Sequence, residues 1–508
     1  MSNKMLKTAG FMTIATLLAK VLGMFRDMLI AAYFSTSYVS DAYMTATKLP
    51  TMLFDLVIGG VITASFIPVF NGIIQKKGKD EAMSFANHFV GMVMTVSVLV
   101  AVMGILFANP LINFLAPDFD VKTHDLAAQL SSIMFPMIIF TGLAFSFVGI
   151  LQSFGEFNIP SIMSLVSNLT VIAYFPIFGK KFGVHGLAVT MLIAWSLQVI
   201  IQIPALKKTG YKFRPRLDFK DLYIKEALIL AGPLLISTWV SPLYSIVNTR
   251  IASGIAGGVT MLEYANRLYT VMVGVFSFVV TNLIFPRLSV SNASENYEEA
   301  NELLSTSIKA ILIIILPLMA GLVILGRPVI SVVYEHGSFT TDDAIKTGTA
   351  LSCYCVGMIG FSLNEMLSKA FFSKKNSKTP MYNAIASMLI NIMLAYLLSA
   401  RFGIYGLAFA TACGSTANAL LNYIAMRIKY GKIFKKSDII SIVKTVTSAV
   451  VMSIAVILIY YRLSQLISHS VGGNLIICAV CGAVGVIVYF ALCLILGVDE
   501  IKKIAKRG

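Results

Sequence analysis

The chain has 508 residues, 57% of them hydrophobic and only 13% charged, with a mean hydropathy of +0.83. A soluble domain is nearer about 25% charged, so the composition excludes a soluble enzyme and indicates an all-α polytopic membrane protein without a separate hydrophilic domain. The formal net charge of +16 would suggest nucleic acid in a soluble protein. Here the basic residues fall mostly in loops between apolar segments, which is the positive-inside pattern, and no nucleic-acid partner is expected.

A spanning helix needs about 20 mostly apolar residues. Runs of that kind lie near 7–34, 38–73, 82–109, 125–152, 159–178, 184–206, 222–252, 260–290, 300–325, 343–372, 380–400, 404–427, 438–461 and 474–497, which makes fourteen predicted spans. The first begins almost at Met1 with no small-residue cleavage site after a short apolar region, and reads as an uncleaved span rather than a signal peptide. The second contains Pro50 and is expected to bend there. Loops on one side hold Lys76, Lys77 and Lys79, then Lys207, Lys208, Arg214, Arg216 and Lys220, then Lys374, Lys375 and Lys378, then Arg427, Lys429, Lys432, Lys435 and Lys436. The C-terminus adds Lys502, Lys503, Lys506 and Arg507. Lys180, Lys181, Arg401 and Arg462 run against this count, which still puts both termini in the cytoplasm.

The chain repeats itself. F-G-V-H-G-L-A-V-T at Phe182 matches F-G-I-Y-G-L-A-F-A at Phe402, an offset of 220 that also superposes Ser153 on Ser373 and Pro160 on Pro380. A-T-K-L at Ala46 parallels A-N-R-L at Ala265, an offset of 219. Six spans separate the equivalents, so the repeat is parallel, with two lobes related by an axis along the membrane normal. The expected organisation is an N-terminal lobe at 1–210, a C-terminal lobe at 211–430, and two extra spans with a tail at 431–508.

Charge inside the apolar segments carries the functional signal, because a charge at the bilayer centre costs at least about 2.5–3.5 kcal/mol. Lys48 and Arg267 are equivalent positions of the two copies, and Lys20 and Arg26 on the first span add to them. These four outnumber the nearby acids Asp27 and Asp41. An uncompensated excess of buried cation is costly, which favours a water-filled cavity awaiting an anion, and guanidinium with ammonium suits phosphate. Lys20 and Asp27 share a helix face, with Arg26 about 100° round, so Asp27 can pair with a cation. The other reading of the set is a group of ion pairs that fix helix packing. Arg250 near the outer end of the seventh span either joins the cavity or snorkels. Glu365 and Lys369, four apart, read as a structural pair. The six cysteines sit in apolar segments without metal-ligand company, as do His124, His336 and His469 in outer regions. No metal, cofactor or catalytic constellation is expected.

Several motifs together resemble the MurJ (MviN) family of lipid II flippases, within the multidrug/oligosaccharidyl-lipid/polysaccharide exporter superfamily. They are V-L-G-M-F-R-D at Val21, D-A-Y-M-T-A-T-K-L-P at Asp41, S-F-I-P at Ser65, Y-A-N-R-L at Tyr264, F-P-R-L-S at Phe285, Y-E-H-G-S-F-T at Tyr334 and F-F-S-K-K-N-S-K-T-P at Phe371. The resemblance implies movement of an undecaprenyl-pyrophosphate-linked disaccharide-peptide from the inner to the outer leaflet of the bacterial cytoplasmic membrane by alternating access. It places family cavity cations at Lys20, Arg26 and Arg267, matches Asp27 and Asp41, and suggests that the last two spans form a groove for the lipid tail. Membrane lipids and the cell-wall synthesis machinery are the further partners it implies. This chain departs from many relatives in carrying Phe54 or Asp55 where they have a cavity arginine. Asn266 and Thr270 replace acids beside Arg267, which would leave that charge freer; Asn266 joins the candidate set. No sodium site is expected, since the relevant spans lack core carboxylates. The competing functions are export of another polyprenyl-pyrophosphate-linked sugar, a membrane glycosyltransferase using the same carrier, and a drug exporter, which would favour cavity acids.

Overall fold

The computed structural model describes residues 3–59, 65–218, 221–238, 240–498 and 500–501, and among these there is no strand. Lys220 and the basic tail Lys502, Lys503, Lys506 and Arg507 lie outside the described residues. The chain forms two compact units, Met1–Thr260 and Met261–Gly508.

The first unit opens with α1 (Asn3–Phe34) and α2 (Tyr38–Phe54). Where a bend is expected at Pro50, α2 instead runs on through that residue as regular helix and passes into a π-helical turn, Asp55–Gly59, five residues later. Then come α3 (Ile67–Lys77) and α4 (Lys79–Leu106). Their junction is legible locally: Lys76 and Lys77 complement the carbonyl end of α3, Gly78 takes φ 90°, and Asp80 and Glu81 complement the amide end of α4. Phe66 is fully buried between Phe70 and Phe89, at ring separations of 5.2 and 4.7 Å, and so packs α3 on α4. There follow α5 (Ala108–Leu115), α6 (Val121–Met134), α7 (Met137–Ser153), α8 (Asn158–Tyr174), α9 (Lys180–Ile200), α10 (Ile203–Thr209), α11 (Leu222–Thr238) and α12 (Val240–Ala252). The linker between α10 and α11 is pinned to α4, where the Asn87 side chain accepts from the Arg214 amide and the Asn87 carbonyl from that of Arg216.

The boundary between units falls in the first turn of α13 (Gly258–Ala293). The second unit continues with α14 (Tyr297–Tyr334), α15 (Thr341–Cys355), α16 (Met358–Ser373), α17 (Lys378–Phe402), α18 (Ile404–Tyr430), α19 (Lys436–Leu466) and α20 (Val471–Leu496). Its core includes the stacked, buried pair Tyr264 and Tyr334, 4.7 Å apart.

The duplication reappears as backbone geometry. The α6–α7 pair bends by 41° and the α15–α16 pair by 42°. Phe154 (φ −93°, ψ 9°) and Lys374 (φ −92°, ψ 13°) end α7 and α16, and each is followed by a left-handed residue, Gly155 and Lys375. Gly183 (φ 52°, ψ −143°) and Gly403 (φ 56°, ψ −132°) make the same kink, in a region closed to most side chains. Asp120 stands at the N-cap position of α6 and accepts from the Thr123 hydroxyl; at the equivalent places of α15, Thr340 and Asp343 form a full capping box.

The last two helices lack a counterpart and are fastened to α14 by polar contacts. Tyr489 donates to the Ile313 carbonyl at 2.9 Å, and Asn474 to the Ser331 hydroxyl at 2.7 Å. Lys309 on α14 reaches Asp438 at the start of α19 (2.7 Å) and Glu500 beyond the end of α20 (2.6 Å). Ser305 and Ser441 supply further hydrogen bonds to the same two carboxylates. Burial by itself pushes the Glu500 carboxyl up, but the Lys309 and Ser441 hydrogen bonds outweigh it and hold that group below its ordinary range.

Seven helical stretches of the described residues are long and apolar enough to cross a membrane, or nine when each bent pair counts as one. One of them, Asn158–Thr209, runs through the Gly183 kink.

Candidate functional site

Arg26 lies on α1, half-buried, beside the almost fully buried Asp27. Its Nε and Nη2 both donate to Asp27 Oδ1, at 3.1 and 2.9 Å, and its Nη1 donates to Asn168 Oδ1 on α8 at 3.0 Å. The same amide turns its Nδ2 to the Ala19 carbonyl at 3.0 Å, so Asn168 reads α1 twice, once through the backbone and once through the guanidinium. A guanidinium has five N–H donors, and three hydrogen bonds hold this one among the described residues. Two donors remain on a side chain that is 23% exposed. An arginine fixed in this way loses little further rotamer freedom when it meets an anion. Asp27 therefore pairs with its chain neighbour Arg26; Lys20, on the same face, is exposed.

Lys48 on α2 is half-buried and donates to the Thr249 hydroxyl on α12 at 2.8 Å. Asp41, grouped by the sequence with Asp27 as an ion-pair member, meets no cation within salt-bridge distance among the described residues. Its carboxylate accepts instead from the Gly257 amide (2.8 Å), the Thr260 amide (2.8 Å) and the Thr260 hydroxyl (2.7 Å). It thus caps the start of α13, where unpaired amides and the helix dipole favour a negative charge. Arg250 donates to the Phe114 carbonyl at 2.6 Å and lies 5.9 Å from that ring's centre, so it complements the carbonyl end of α5.

In the second unit, Arg267 and Asn266 lie half-buried on α13. The expectation that Arg267 would be freer of acids needs correction: Glu263, one helical turn earlier, brings Oε2 to 3.8 Å from its Nε. The Glu365–Lys369 pair is also corrected. No ion pair joins them; the Lys369 ammonium lies 5.3 Å from the centre of the Phe285 ring, where its reach across to α13 takes it away from its own helix.

Asn168, Thr249 and Glu263 are the polar neighbours that sequence reading missed. Glu263 was detectable as an acid four residues before an arginine. Asn168 offered only the weaker sign of an amide inside an apolar span.

All-helical units with a duplicated helical core and cations held on helices inside apolar segments define a polytopic helical membrane protein. The solved structure of an inward-facing multidrug-resistance MATE-family transporter shares this fold at a TM-score of 0.72 and 15% identity, over 82% of this chain and 96% of that one. The model of the family described as "Lipid II flippase MurJ" matches residues 30–476, and the chain belongs to that family. A solved lipid II flippase MurJ in an inward closed conformation aligns with a TM-score of 0.82 and 25% identity, covering 96% of this chain and 99% of that chain. Among curated relatives, a probable lipid II flippase MurJ of Buchnera aphidicola subsp. Schizaphis graminum is 29% identical over 461 residues, 90% of each chain. One of Bdellovibrio bacteriovorus is 28% identical over 521 aligned positions, spanning 100% of this chain and 97% of that one.

Proposed function

We propose that this chain moves lipid II, the undecaprenyl-pyrophosphate-linked disaccharide-peptide, across the bacterial cytoplasmic membrane for cell-wall synthesis by alternating access. Family membership supports the substrate class. The observation that carries the site is Arg26, clamped by Asp27 and Asn168 with two N–H donors left over. In this reading Arg26, Lys20, Lys48 and Arg267 meet the pyrophosphate, with Asn266 nearby. Asp27 sets the Arg26 rotamer, Asp41 fixes the start of α13, and Arg250 anchors α5. The apolar runs support fourteen spans, the loop charges support cytoplasmic termini, and the internal repeat supports lobes at 1–210 and 211–430 with an additional pair at 431–508. Cell-wall synthases are the partners that would consume the product.

Genetic complementation tests this proposal. In a bacterium depleted of its own lipid II flippase, this chain alone should sustain growth. Rescue of a mutant lacking a different polyprenyl-linked sugar exporter, without rescue of the lipid II flippase, would assign it another cargo.

A further inference from the structure

A second candidate site lies in the first unit, away from Arg26. The facing stripes of α3 and α11 enclose a cleft of about 150 Å³. That is smaller than the roughly 300–1,000 Å³ of a site that swallows a whole small molecule, so it suits one part of a larger ligand whose remainder lies outside. The cleft is graded in polarity. Pro68, Ile73 and Leu230 line it with apolar surface, whereas Lys76, Lys77, Tyr223 and Glu226 also line it and bring the charge. The Lys77 ammonium stands 5.5 Å from the centre of the Tyr223 ring and bridges the two helices. Gly72 also lines the cleft, and a Cβ there would meet nothing within 4 Å, so the floor is open because a side chain is missing. Leu230 in its lining and the adjoining Ile229 are 45% and 75% exposed, apolar surface suited to acyl chains.

We propose that this cleft binds the headgroup of a phospholipid carrying a primary amine, of the phosphatidylethanolamine type. Lys76 and Lys77 meet the phosphodiester, Glu226 meets the lipid's ammonium, and the first acyl carbons lie along Pro68, Gly72 and Leu230. With Lys77 also held against the Tyr223 ring, the lysines supply the phosphate's counter-charge and the carboxylate supplies the ammonium's, so each charge of the headgroup meets its opposite. An anionic glycerol headgroup offers Glu226 hydroxyls in place of an ammonium, and so lacks one of the two charge contacts.

The test is native mass spectrometry of the full-length protein in detergent, with phosphatidylethanolamine and phosphatidylglycerol of matched chains. The parent protein should retain one phosphatidylethanolamine in preference to phosphatidylglycerol. Retention should fall about tenfold or more in Lys76→Ala/Lys77→Ala, which loses charge-assisted hydrogen bonds, and in Gly72→Leu, which fills the floor without altering charge. Glu226→Gln should keep lipid retention and lose the headgroup preference. Glu226 is exposed, so this variant folds and decides the matter by itself if Gly72→Leu fails to accumulate. Unchanged retention in the lysine and Gly72 variants would show lysines that only complement the end of α3, and would overturn the proposal. So would equal retention of both lipids by the parent, or displacement of the lipid by millimolar glycerophosphoethanolamine, which would make the site one for a soluble phosphodiester.

Discussion

Arg26 shows how one side chain in an apolar segment is both held and kept available. Asp27 offsets its charge and Asn168 fixes its plane, yet two N–H donors remain. Lysine at this position keeps a cation but cannot make the forked contact to Asp27 while also reaching Asn168 and a phosphate. Arg26→Lys should therefore bind lipid II about ten- to a hundredfold more weakly, the equivalent of one charge-assisted contact at roughly 1.5–3 kcal/mol. Titration of the purified variant with lipid II checks this, and parental affinity would mean that the fork is unimportant. Half of this arrangement was legible in the sequence. An acid beside a basic residue in an oily helix advertises a pair, but the face shared by Lys20 and Asp27 left open which cation it joins. Asn168 lies 142 residues from Arg26, and only the packing of α8 on α1 brings it there. Asp41 was misjudged for a related reason: its partners are backbone amides at the start of α13, and backbone donors leave no mark in a pattern of charges.

At the scale of elements, the duplication was the clearest message in the sequence, because glycines at forced kinks and residues at helix ends repeat where the backbone repeats. The attachment of α19 and α20 was not legible, since Lys309, Asp438 and Glu500 are far apart in the chain and each looks like an ordinary residue near a helix end. Removing the shared cation leaves two carboxylates facing one another in a poorly hydrated place. Lys309→Ala should destabilise the protein by about 1.5–3 kcal/mol, the scale of a charge-assisted hydrogen bond, seen as a lower melting temperature in detergent. Restoring neutrality with Lys309→Met/Asp438→Asn/Glu500→Gln should recover most of that loss, and a single variant as stable as the parent would discount the triad. The Glu500 carboxyl is held below its ordinary 4.5, so folding favours its ionised form. Its contribution is present in full above that value and is lost as the pH falls through the lowered folded-state value. Melting temperatures measured downward from neutral pH should drop more steeply below about pH 4.5 for the parent than for Glu500→Gln; parallel curves would contradict this.

For the whole molecule, composition and motifs were enough to read an all-helical membrane protein of the lipid II flippase family, and the fold and comparisons bear that reading out. The proposed reading assigns the two unduplicated helices to the long polyprenyl tail. Truncation before Lys436 would strip both partners from Lys309, so the truncated chain should also carry Lys309→Met. That protein should insert and accumulate yet fail to support growth on a long-chain substrate; full activity would remove the helix pair from the transport cycle. If Arg26 and Arg267 each meet the pyrophosphate during transport, as proposed, the decisive measurement is the amount of lipid II exposed on the outer leaflet of cells that depend on this chain. Arg26→Ala, Arg267→Ala and Arg26→Ala/Asp27→Ala should all reach parental abundance in the membrane while outer-leaflet lipid II falls to the level of depleted cells. An active double variant would contradict this account and make Arg26 and Asp27 a packing ion pair.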